Sequence, residues 1–87
     1  MSTTATTETV ERRVIRVIAE NLGVKEDRVV ATAKFAQDLE ADNLDMIELV
    51  MVLEEEFDLA ITEAEAAKFQ TVGDVLDFIS AWVHLGL

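Results

Sequence analysis

The sequence predicts an all-α fold, a four-helix bundle with a long first loop and a short third helix. Three observations point to it. Apolar residues recur at helical spacing in separate stretches, capping residues stand at the head of three of the predicted helices, and no β-hairpin signal occurs anywhere. The 87 residues suffice for one domain, without repeats or an internal boundary. A chain this short buries only about 60% of its unfolded surface, so its core must be compact.

Residues 1–8 read as a polar, frayed lead, and 9–87 as a single domain. The lead has neither the basic nor the apolar region of a signal peptide. Val10, Val14, Val17 and Ile18 then recur at i, i+4, i+7 and i+8, which sets them on one face of a first helix of about four turns. Arg12, Arg13, Arg16 and Glu20 fall on the other side, and Gly23 supplies the stop. From Val24 to Asp42 no period holds, and the segment reads as a long loop pinned to the core by Val24, Val29, Val30, Phe35 and Leu39. Asp42 can cap a second helix from Asn43 to about Phe57, with Asp45 in its first turn where the dipole favours an acid. Thr62 and Glu65 have capping-box spacing for a short third helix through Lys68. Thr71 and Asp74 repeat the device for a fourth, whose inner face is Val72, Val75, Leu76, Ile79 and Val83.

Composition narrows the function. A net charge of −11 beside a positive mean hydropathy implies apolar side chains gathered inward under an acidic shell. Nucleic acid is a poor partner for such a surface, because phosphate contacts need Lys and Arg. From Phe35 to Ala67 there are eleven Asp or Glu and no Lys or Arg, so a partner surface should be basic. The absence of cysteine excludes disulfides, a thiolate nucleophile and zinc–thiolate sites, and the one histidine, His84, excludes a His-rich metal site. The longest apolar run, Leu49 to Leu53, is too short to cross a bilayer. A cytoplasmic monomer without membrane insertion is the expectation.

The second helix carries the functional signal. At about 100° per residue, Met46, Val50, Leu53 and Phe57 form one apolar stripe and read as core. Leu44, Ile47 and Met51 form another, bordered by Glu48, Glu54 and Glu55. Two readings are open for this second stripe: burial on both sides of a central helix, or an exposed apolar strip ringed by carboxylates, which would dock a partner with a basic rim.

The segment Asp38-Leu-Glu-Ala-Asp-Asn-Leu-Asp-Met-Ile-Glu-Leu-Val-Met-Val-Leu-Glu-Glu-Glu-Phe-Asp58 resembles the signature of bacterial acyl carrier proteins. In that family an Asp-Ser-Leu triplet opens the second helix and precedes a run close to Glu-Leu-Val-Met-x-Leu-Glu-Glu-Glu-Phe-Asp. Helix order and loop lengths agree from about Val10 to Trp82. The resemblance implies a non-enzymatic carrier of fatty-acid or polyketide synthesis. Its serine takes 4′-phosphopantetheine from coenzyme A, and the cofactor's thiol holds acyl chains as thioesters. It further implies that Leu44, Ile47, Glu48, Met51, Glu54 and Glu55 meet basic patches on synthases and on phosphopantetheinyl transferase. Phe35, Leu53, Phe57, Ile61, Ala66, Phe69, Val75, Leu76 and Ile79 are candidates for the acyl pocket, and each reads equally as core.

The triplet here is Asp42-Asn43-Leu44, with no serine at the attachment position. A carboxamide nitrogen is delocalised into its carbonyl and is a poor nucleophile, so the chain is expected to stay apo, without the prosthetic group. Ser2 and Ser80 do not replace it by position. Either Asn43 replaces serine in an ordinary carrier, or the chain is a natural carrier-like domain that binds synthase or regulatory partners without acylation. Smaller departures are Glu40, where the family often has glycine, and Thr62, where proline is common. A calcium loop is the main rival, since Asp38, Glu40 and Asp42 alternate, but the position needing glycine holds Asn43 and that needing glutamate holds Leu49. No specific metal site is expected, and no catalytic residue. His84 reads as a cation suited to a helix C-terminus. Phe78 and Trp82, four apart, form a packing pair or a contact surface.

Overall fold

In the computed structural model residues 9–85 are described, with side chains through Val83. The polar lead and the His84 side chain lie outside the described residues. Four α-helices occur among the described residues: α1 Val10–Leu22, α2 Asn43–Phe57, α3 Glu63–Ala66 and α4 Val72–Leu85. A 3-10 turn at Glu26–Arg28 interrupts the first loop. None of these helices is long and apolar enough to cross a membrane.

The first helix begins where Thr9 Oγ1 accepts the Arg12 N–H at 3.1 Å. It ends at Gly23, whose φ of 69° is the left-handed region that a side chain would strain. Its buried face is Val14, Val17, Ile18 and Ala19. Arg13 does not face away as the helical count implies. Its guanidinium reaches α2, 2.7 Å from the Glu56 carboxylate and 4.7 Å from the centre of the Phe57 ring. An ion pair this exposed contributes up to about 1 kcal/mol. Apolar burial, worth about 1.5–3 kcal/mol for each enclosed Leu or Ile, is what joins the two helices.

The first loop is fixed by main-chain hydrogen bonds to the entry of α4. Phe35 N–H donates to the Gln70 carbonyl at 3.0 Å, Val72 N–H to Ala33 at 3.0 Å, and Gly73 N–H to Ala31 at 2.9 Å. Lys34 and Thr71 form an isolated antiparallel bridge within this seam. Gly73 permits the approach, because a Cβ there would lie 3.0 Å from the Ala31 carbonyl oxygen. Of the expected anchors, Val29, Phe35 and Leu39 are buried and Val24 is half-buried. Val30 is 49% exposed, since a turn closed by Ala33 N–H on the Val30 carbonyl brings Ala33 inward instead.

On α2 the fully buried residues are Leu49 and Leu53. Met46, Val50 and Phe57 pack half-buried at the margin of the core, so the inner stripe is centred on Leu49, which the periodicity alone did not select. The third helix stops at Ala66, two residues before the predicted Lys68. At the start of α4, Asp74 Oδ2 accepts the N–H groups of Gln70 and Thr71, both at 3.0 Å. These two bonds, that from Gln70 foremost, hold the Asp74 carboxyl below its ordinary value. Val72, Val75 and Ile79 are buried, Leu76 is half-buried, and Val83 is exposed beyond the core. Phe78 pairs with Phe69, edge to face at 5.5 Å, and Trp82 is 40% exposed.

Candidate functional site

The first turn of α2 is held by two acids that cap each other's ends of it. Asp42 Oδ1 accepts the Asp45 N–H at 2.9 Å, and Asp45 Oδ2 accepts the Asp42 N–H at 3.0 Å. Asn43 lies between them as the first helical residue. Its side chain is exposed and takes no part in the cap.

Two open clefts meet at Asn43 and Met46. One, of about 580 Å³, runs between the first loop and the α3–α4 connection, with Phe35, Met46 and Phe69 as its apolar lining and Lys34, Gln37 and Gln70 as polar lining. The other, of about 660 Å³, lies between α2 and α3, lined by Met46, Ile47, Val50, Met51, Ile61 and Ala66 among others. Of the nine residues suggested for a pocket, Phe35, Phe69, Ile61 and Ala66 line these clefts. Leu53, Phe57, Val75, Leu76 and Ile79 belong to the core or its margin and line neither. Met46 is a lining residue that helical periodicity had placed with the core. Its spacing from Asn43, three residues on the same helix, is the signal that could have marked it.

Next to Asn43 the second apolar stripe stands in solvent: Leu44 is 61%, Ile47 57% and Met51 55% exposed. Burial on both sides of α2 is thereby excluded. The acids around the strip divide by environment. Glu48 and Glu55 are exposed on one flank, whereas Glu54 on the other is half-buried and accepts the Ile61 N–H at 2.9 Å. Asp38 and Asp42 are likewise engaged with main-chain N–H groups, of Lys34 and Asp45. Among the described residues no group of three His, Cys, Asp or Glu is placed to hold a metal ion.

Residues 12–79 match the family described as the phosphopantetheine attachment site, a span from the first turn of α1 into α4. The chain belongs to the phosphopantetheine attachment site family. A solved structure from Mycobacterium tuberculosis, provisionally described as an acyl carrier protein, is similar over most of the chain. It is 33% identical, with a TM-score of 0.79, over 85% of this chain and 99% of its own. Members of the phosphopantetheine attachment site family are carrier domains rather than enzymes, and 4′-phosphopantetheine is the group the family bears. Acyl carrier proteins in general interact with synthases and with the transferase that loads them.

Proposed function

We propose that this chain is an acyl carrier protein of fatty-acid or polyketide synthesis whose attachment position holds Asn43, so that it presents a carrier's docking face without a prosthetic group. The observation that carries the reading is the exposed side chain at the head of α2, flanked by two clefts and followed by the strip Leu44, Ile47 and Met51. The residue at that place does not fit the family's cofactor. A phosphodiester to 4′-phosphopantetheine needs a hydroxyl oxygen, and Asn43 offers only a carboxamide. In this reading α2 does the work of a binding module: apolar contact through the strip, with steering by the free carboxylates Glu48 and Glu55 toward a basic synthase surface.

Asn43→Ser tests both halves of the proposal. The cap lies in Asp42 and Asp45, so the substitution supplies a hydroxyl without touching it. A phosphopantetheinyl transferase with coenzyme A should add one prosthetic group to the variant and none to the parent, read by intact-mass spectrometry. A folded variant refused by several transferases would favour the second reading, a natural carrier-like domain that binds partners without acylation. Loading of the parent would overturn the block at Asn43.

A further inference from the structure

We propose that Glu54 is the latch of the α2–α3 cleft, a positioning residue rather than a charge held out to a partner. Three main-chain N–H groups of the segment after α2 converge on it. Its carbonyl accepts those of Asp58 and Leu59, and its carboxylate accepts that of Ile61 at 2.9 Å. Ile61 lies outside any helix, its side chain is buried, and it forms part of the cleft wall facing Met46, Val50 and Met51. Without the Glu54 carboxylate this amide would lose its acceptor beside a buried side chain, a costly state that a charge-assisted bond avoids.

The third helix needs such an anchor. It is a single turn, and its own capping box, Thr62 with Glu65, makes it helical without fixing where it sits. Ile61 and Glu54 tie its entry to α2, and so set the width of the cleft beside Asn43. A cation that docks on α2 at Glu54 meets a carboxylate already engaged through Oε2 with the Ile61 N–H, whereas one that docks at Glu48 or Glu55 meets a carboxylate with no such tie to the cleft. The proposal goes beyond carriage and loading, and its test requires neither.

Amide hydrogen exchange followed by NMR on the free chain reads the latch directly. In the parent, the Ile61 amide should exchange about ten-fold or more slowly than that of neighbouring Ala60. Glu54→Gln keeps a carbonyl oxygen at the same place and should retain most of this protection. Glu54→Ala should abolish it and raise the fluorescence of the neutral apolar dye Nile red, with the amides of Ile18 and Ile79 unchanged. Equal exchange at Ile61 and Ala60 in the parent would overturn the proposal, and so would Gln and Ala variants that behave alike. The parent and the Gln variant suffice should the Ala variant fail to fold.

Discussion

At the scale of single residues, backbone conformation explains a departure from the family pattern that the resemblance only flagged. Glu40 has φ 57° and Asp58 φ 53°, the two non-glycine residues with positive φ among those described. An L-residue in this region costs about 1–2 kcal/mol, and Asp bears it better than Glu because its short side chain bonds locally. Glycine at position 40 would remove that strain but lose about 0.5–1 kcal/mol to the greater freedom of the unfolded chain. Glu40→Gly should therefore stabilise the fold by about 0.5–1 kcal/mol, seen as a higher urea midpoint at unchanged slope. Asp58→Gly should gain less. The resemblance to acyl carrier proteins is what marked position 40 as a departure; the left-handed turn there was not legible in the sequence, since loop dihedrals leave no periodic trace.

At the scale of the element, α2 was the most legible part of the chain and also shows where legibility ends. Its bounds, Asn43 to Phe57, followed from a capping aspartate and an apolar run, both local signals. The exposure of Leu44, Ile47 and Met51 could not follow, because period alone cannot tell an outer stripe from a second inner one. Nor could the fates of Glu54 and Glu56, which depend on the path of the α2–α3 connection and on the reach of Arg13 from α1. The strip and its free flank should act on different steps of binding to a carrier-protein synthase. Glu48→Lys should slow association several-fold and flatten its salt dependence, while Met51→Ala should leave association near the parent rate and hasten dissociation. Surface plasmon resonance at two ionic strengths separates these effects, and unchanged rates in both variants would place docking elsewhere.

For the molecule as a whole, charge opposes what the core holds together. Eleven acids without a base between Phe35 and Ala67 repel one another, and the basic side chains come from outside that stretch. Arg13 meets Glu56, and Arg28 spends its guanidinium on the Asp38 carbonyl at 2.7 Å. A domain of this size has a margin of about 0.05–0.15 kcal/mol per residue, so self-repulsion is felt in its melting temperature. Raising ionic strength, or adding millimolar magnesium, should raise Tm by several degrees, since about 1 kcal/mol moves it roughly 4–8 °C in a chain of this length. An unchanged Tm in calorimetry across that range would show that the acids are far enough apart not to matter. The layout of helices, and thus this balance, was readable from pattern. The seam between the first loop and the entry of α4 was not, because its bonds join backbone groups about 40 residues apart through atoms every residue shares.

The mutual capping of Asp42 and Asp45 has one more consequence. Because the side-chain cap at the head of α2 is made by Asp42 and Asp45, the side chain of the residue between them is no part of it. Exchange between Ser and Asn at position 43 should then shift stability by only about a few tenths of a kcal/mol, the difference in their helix propensities, so a chain can give up its nucleophile, or recover it, with its fold intact. Folding then constrains that position far less than chemistry does.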